Sequence, residues 1–204
     1  MRAGFPGTFE EDPVRILRAF RFAAELQFET DPAMGPLMQA ASLGLLRIAG
    51  ERLREELLAI LQTDRAGTAL QHLNTLGVLD VLFPELIPGR GIEQGGYHHL
   101  DVLSHQLEAV AQGDRMMADF TEFSEDLRAP LAAYVAEELV ERRTRKALIK
   151  LSALYHDVGK PGTRRVKSDG EIWFIGHEHF GADLTGALAA RLRLSNREAE
   201  MIHK

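Results

Sequence analysis

The stretch KALIKLSALYHDVGKPGT, residues 146–163, decides the fold. Its apolar residues Ala147, Leu148, Leu151 and Leu154 recur with the period of an α-helix, and Gly159 and Pro161 halt that helix. A segment this apolar is expected to be buried, yet it ends in His156 and Asp157, an imidazole beside a carboxylate. Burying that pair is costly unless something compensates both groups, and one metal ion would do so. Further histidines flank it: YHHLDVLSHQL carries His98, His99, Asp101 and His105 upstream, and FIGHEHFGAD carries His177, His179 and Asp183 downstream. Imidazole nitrogen and carboxylate oxygen suit divalent Mn, Fe, Co, Ni or Zn, and such a site polarises a phosphoryl group or lowers the pKa of a bound water. Phosphate chemistry on a helical scaffold is the expectation.

Working outward, almost every segment reads as helix. Asp12 to Gln27 shows helical recurrence of Val14, Ile16, Leu17, Phe20 and Ala24, with Asp12 as the expected cap and Pro13 at the first helical position. Asp31 and Pro32 open a second helix running to Ala40, GERLREELLAILQT reads as a third, and Gly67 to Leu76 as a fourth closed by Gly77. A short apolar turn from Leu79 to Phe83 leads into PELIPGRGIEQGG, whose density of Pro and Gly predicts a domain boundary near Gly91. Beyond it, His99 to Gln112 is amphipathic, with Asp101 and His105 one turn apart and able to face one ion. Residues 113–146 are charged and helical in tendency, and TRRVKSDGEIWFIG reads as one hairpin turning at Ser168, Asp169 and Gly170. The fold class predicted is therefore all-α: a helical body over residues 1–91 and a second helical domain over 92–204 with one small β-hairpin. The final MIHK lies inside an expected helix, so the chain reads as cut there.

Composition narrows the function classes. The 204 residues include no cysteine, which excludes disulfides, thiolate catalysis and Cys-type zinc sites and fits a reducing, cytoplasmic setting. No apolar run approaches the roughly 20 residues of a membrane helix, and MRAGFPGTFEEDP lacks the apolar middle of a signal peptide. A net charge of −6 argues against a generally basic, nucleic-acid-coating surface, so any RNA contact is expected from a local patch. Among the histidines, His105 is the expected first ligand; His98, His99 and His179 read as supporting or surface groups, and His72 and His203 need no function.

In FEEDPVRILRAFRFAAELQF, Asp12 and Arg15 lie about one turn apart, and Arg18 and Arg21 continue the spacing. A carboxylate and a guanidinium fixed on one helix present acceptors and donors that could read the Watson–Crick edge of a base. Spacing alone favours an ordinary capped helix with an arginine stripe.

Two resemblances rest on these motifs. The order His105, then His156-Asp157 followed by Gly159-Lys160, then Gly176-His177-Glu178 resembles the HD superfamily of metal-dependent phosphohydrolases. That resemblance implies His105, His156, Asp157 and His177 as ligands of a divalent ion (Ni, Co, Mn, Mg or Zn). It also implies Asp157 steering or deprotonating water, with Lys160, or else Arg164 and Arg165, holding substrate oxygens, although these basic residues fit a solvated hairpin as well. The distal Asp of that family has no clear match, Asp183 lying too early. Secondly, EDPVRILRAFRFAAELQF, GERLREELLAIL and LGVLDVLFPEL, followed by an HD domain, together resemble the bacterial tRNA nucleotidyltransferase and poly(A) polymerase family over nearly the whole chain. That resemblance implies nucleotide selection by Asp12 and Arg15, with Glu11 and Arg18 in support, and tRNA or another RNA 3′ end with CTP and ATP as partners. The family's transferase head, with its Gly-rich loop and paired DxD carboxylates, is not found in these residues, so this chain alone is not expected to polymerise nucleotides. Two alternatives remain open: a free-standing HD phosphohydrolase, and a non-catalytic RNA-binding or assembly module.

Overall fold

The structure is a computed structural model, and it describes residues 7–95 and 99–203; the expectation for His98 lies outside the described residues. Twelve α-helices in that span run as α1 (Thr8–Glu11), α2 (Arg15–Glu25), α3 (Met34–Ala41), α4 (Gly50–Gln62), α5 (Ala66–Thr75), α6 (Val78–Leu82), α7 (Val102–Asp119), α8 (Glu125–Ala136), α9 (Arg145–Tyr155), α10 (Lys160–Thr163), α11 (His177–Arg191) and α12 (Asn196–Ile202). Two 3-10 turns, Ser42–Arg47 and Pro84–Gly89, connect them. No described helix is long and apolar enough to cross a membrane.

The helices α2, α4, α5, α7 and α9 pack on one another, and their apolar faces merge. Ile16, Leu17 and Phe20 of α2, Leu57, Leu58 and Leu61 of α4, Leu70 and Leu73 of α5, Leu103 and Val110 of α7, and Leu148, Leu151 and Leu154 of α9 share one buried cluster. The Pro- and Gly-rich stretch after Phe83 divides the sequence, but the buried core passes from the helices before it to those after it. Gly67 permits the α5 to α7 approach, because a Cβ there would sit 2.6 Å from the Cα of Ala111. Beside it, the fully buried Lys150 of α9 pairs with Asp114 of α7 at 2.5 Å and donates to the Thr63 carbonyl at 2.6 Å, while the other Asp114 oxygen accepts from Gly67 N–H at 2.7 Å.

Three expectations are corrected. Asp12 does not cap α2, which begins at Arg15 after the separate turn α1; the Asp12 side chain is instead held by both oxygens against Arg52 of α4, at 3.1 and 2.9 Å. Asp101 does not face the histidine cluster, because it caps α7 by accepting from Ser104 N–H and also takes Gly91 N–H, both at 2.7 Å. Finally, the charged stretch 113–146 is not wholly helical. After α8 the chain forms strand β1 (Glu138–Val140) paired antiparallel with β2 (Arg143–Thr144), turning through Arg142 in the left-handed region at φ 61°. The expected hairpin is present as β3 (Arg165–Val166) and β4 (Ile172–Trp173), Arg165 opposite Trp173, so the described residues hold two strand pairs.

Candidate metal centre and nucleotide-facing helix

Three separate helix ends deliver the histidines. His105 lies in the first turn of α7, whose start Asp101 fixes; His156 closes α9, with Asp157 next; and His177 opens α11 behind Gly176 at φ 82°. Gly159 makes the last approach possible, since a Cβ there would lie 2.0 Å from the His177 carbonyl oxygen and 2.6 Å from Gly181 N. Two residues after Asp157, the chain therefore needs glycine for His177 to come near.

Asp157 forms the floor of the cluster at 4% exposure. Its Oδ2 has Lys160 Nζ at 2.7 Å, His156 Nε2 at 3.1 Å and His105 Nε2 at 3.6 Å, and its Oδ1 has His177 Nε2 at 3.7 Å. The Nε2 atoms of His105 and His156 stand 3.2 Å apart although 51 residues separate them in sequence. One ligand atom each from His105, His156 and Asp157 falls within 4.8 Å of the others.

The second ring nitrogens show how these donors are aimed. His156 Nδ1 donates to the Ala153 carbonyl and His177 Nδ1 to the Phe174 carbonyl, each at 2.8 Å. A proton on Nδ1 leaves the Nε2 lone pair of each ring pointing at Asp157, the tautomer a metal-bound imidazole needs. Facing nitrogens beside a buried carboxylate call for a cation, and the donor set of imidazoles and one carboxylate suits a divalent metal. Without an ion, a protonated His156 ring meets the carboxylate as a hydrogen-bond donor instead. Burial pushes the Asp157 carboxyl up, but hydrogen bonds from His156 and Lys160 outweigh it and hold the group well below the usual carboxylate range. Burial pulls His156 down, and its hydrogen bonds to Asp157 and the Ala153 carbonyl outweigh that, leaving it raised.

Other histidines stand apart. The His179 side chain is 90% exposed, and His72, His99 and His203 are exposed. Asp183 is exposed on α11 and is not part of the three-residue cluster. Arg165 is exposed and Arg164 half-buried. Sequence reasoning missed Gln94. It is buried, its Nε2 donates to the Leu100 carbonyl at 3.3 Å, and its Oε1 accepts from Lys160 Nζ at 2.7 Å. Nothing in the run GIEQGG distinguishes that residue beforehand.

At the N-terminal helix, Arg15 lies 4.0 Å from Asp12 and 3.7 Å from Glu11 and donates to the Thr8 carbonyl at 3.2 Å. Arg18 is not grouped with them. Its Nε, and that of Arg21, bind the two oxygens of the buried Glu56 at 3.0 Å each. Arg52 was the second residue missed, although GERLREE placed it on a helix spaced for ion pairs.

Comparison with known proteins bears on both sites. The family described as "Probable RNA and SrmB- binding site of polymerase A" matches residues 27–89, and the HD domain family matches residues 115–203. The chain is 35% identical over 195 residues to the A-adding tRNA nucleotidyltransferase of Deinococcus radiodurans, covering 93% of this chain and 39% of that protein. It is also 35% identical over 200 residues to the CC-adding tRNA nucleotidyltransferase of Thermus thermophilus, covering 94% of this chain and 40% of that protein. The chain belongs to the tRNA nucleotidyltransferase and poly(A) polymerase family. It corresponds to a C-terminal portion, spanning about 40% of the length of these tRNA nucleotidyltransferases. A solved "tRNA-processing enzyme (apo form I)" shares the fold, with TM-score 0.57 at 20% identity over 98% of this chain and 41% of that one. The HD match takes in His156, Asp157 and His177 but begins after His105, which only its position in space joins to the cluster.

Proposed function

We propose that this chain is the RNA-engaging and HD portion of a tRNA nucleotidyltransferase. Its body, over residues 1–91, contacts the 3′ end of a tRNA or other RNA, and its second part, over 92–204, is a metal-dependent phosphohydrolase acting on nucleotides or RNA-end phosphates in the cytoplasm. The named activities of the relatives support the first half. The observation that carries the second is the convergence of His105, His156 and Asp157 within 4.8 Å from the start of α7 and the end of α9. His105, His156, Asp157 and His177 would hold a divalent ion of the Ni, Co, Mn, Mg or Zn class, and that ion supplies Lewis-acid polarisation of a phosphoryl group. Asp157 is the buried acceptor that orients water or a proton, and Lys160 is the cation positioned to meet a substrate oxygen.

The group of half-buried Asp12 and Arg15 with exposed Arg52 supplies acceptors and donors for the edge of CTP or ATP, in concert with the transferase head that relatives of this family carry. Nucleotide addition itself belongs to the complete enzyme.

Purified protein incubated with Ni²⁺, Co²⁺, Mn²⁺ or Mg²⁺ and a panel of phosphoesters, beside a His156→Ala plus Asp157→Ala variant, tests the hydrolase. Metal-dependent turnover lost in the variant supports it, and no turnover in either rules it out. A second reading has one observation in its favour. Lys160 already neutralises Asp157, as it would in a non-catalytic RNA-binding module, and that reading predicts no metal in the purified protein.

A further inference from the structure

We infer that the cavity between the end of α2 and the start of α5 is a pocket for one base of single-stranded RNA, with the adjoining phosphate on Arg65. This rests on the RNA-engaging half of the proposed function and gives that half a site, distant in sequence from the HD histidines. The cavity measures about 350 Å³. That is near the lower end for small-ligand pockets, sized for a single planar group rather than a folded element.

Its construction is aromatic within and polar at the mouth. The buried Phe20 and the exposed His72 meet edge to face, ring centroids 6.5 Å apart, and Phe28 lines the cavity while remaining 56% exposed. Phe28 is held there by a defined helix end. Gln27 takes the left-handed conformation at φ 55°, and Phe28 N–H returns to the Ala23 carbonyl at 3.0 Å. That six-to-one bond closes the helix and fixes the direction in which the next side chain leaves. A large aromatic ring held in water beside a cavity lined by a second ring is the arrangement on which bases stack, and stacking tolerates any base.

Arg65 supplies the charge. It lines the same cavity from the N-cap position just before α5, and among the described residues no ion pair forms on its guanidinium. Arginines elsewhere such as Arg18, Arg21, Arg52 and Arg191 are in ion pairs, so a guanidinium with no ion pair among the described residues, lining the same cavity as the aromatic rings, supplies the local positive charge that an RNA contact on this acidic chain requires. Thr68 completes the mouth with a hydroxyl that can meet the hydrogen-bonding edge of a base.

The test measures binding of a short fluorescent single-stranded oligoadenylate by anisotropy, on wild type, Phe28→Ala, His72→Ala and Arg65→Gln, with Leu43→Ala as an exposed apolar control elsewhere. Phe28→Ala and His72→Ala should each weaken binding roughly tenfold. Arg65→Gln should weaken it and lower the slope of log affinity against log salt by about one. Leu43→Ala should change nothing. An RNA carrying photoactivatable thiouridine should crosslink to Phe28 or His72. If wild type binds RNA and none of the three variants differs from it, the pocket is overturned while the RNA-binding reading stands. If wild type binds no RNA, both fall, and metal binding by the same preparation still reports separately on the HD cluster.

Discussion

Lys160 Nζ lies 2.7 Å from Asp157 Oδ2, inside the same cluster that gathers His105 and His156. The lysine thus stands against an oxygen that a metal ion needs, and Gln94 Oε1 offers it a second acceptor at 2.7 Å. Lys160→Ala should therefore split two quantities that usually move together. The metal-free protein should lose stability by about 1–3 kcal/mol, since a buried carboxylate gives up a cationic partner. Mn²⁺ affinity should rise by about tenfold, since a competing positive charge is gone. Thermal melts and calorimetric titration of one preparation read both, and a fall in both would mean that Lys160 helps to hold the ion.

At the other end of the chain, Arg18 and Arg15 differ in what already holds them. Arg18 is fixed on the buried Glu56, whereas Arg15 and Asp12 remain near one another at the surface. Arg18→Ala should lower stability by about 1 kcal/mol and leave CTP binding nearly unchanged. Asp12→Ala and Arg15→Ala should do the reverse. Melting curves beside nucleotide titrations followed by NMR distinguish them, and loss of nucleotide binding in Arg18→Ala alone would contradict the assignment.

These two sites show what the sequence could reveal. Helices α4, α5 and α9 were readable because their apolar periodicity is strong and their ends carry Gly or Pro. The meeting of His105, His156 and Asp157 was foreseeable from residue chemistry and order, whereas His177 stands nearest to the Asp157 oxygen at 3.7 Å and outside that group of three. Asp12 as a cap was misread because a Ser/Thr/Asp/Asn before an apolar period also marks a side chain reaching a distant partner, here Arg52 forty residues on. Gln94 left no local signal, its role being set by where Lys160 arrives in space. The pair β1 and β2 escaped because strands of three and two residues are too short to show an alternating pattern.

Acid stability should depend on Glu85, which takes Arg191 on α11 in a two-oxygen ion pair and Tyr155 Oη at 3.1 Å. Burial pushes the Glu85 carboxyl up, but the hydrogen bond from Arg191 and further favourable contacts outweigh it, so the folded value lies below the ordinary 4.5. A carboxyl depressed on folding gives stability that is complete above its unfolded value and lost as pH falls through the folded one. Glu85→Gln should therefore cost about 1–2 kcal/mol at neutral pH. The gap between variant and wild type should narrow once pH drops below about 4.5 in denaturant titrations. A gap constant from neutral pH down to strong acid would show that the carboxylate charge contributes nothing.

The buried pair of Lys150 and Asp114 ties three elements together, because Lys150 also serves the Thr63 carbonyl and Asp114 also serves Gly67 N–H. Breaking it from one side should be severe: Lys150→Met strands a carboxylate in the core, at a cost of about 3–5 kcal/mol. Adding Asp114→Asn removes that stranded charge while keeping an acceptor for Gly67, so the double variant should be more stable than Lys150→Met alone by about 1–3 kcal/mol. Urea unfolding of the wild type, both single variants and the double variant gives the coupling directly. Simple additivity would mean that the two charges do not stabilise each other, and the packing of α5 against α7 would then rest on Gly67 and its apolar neighbours.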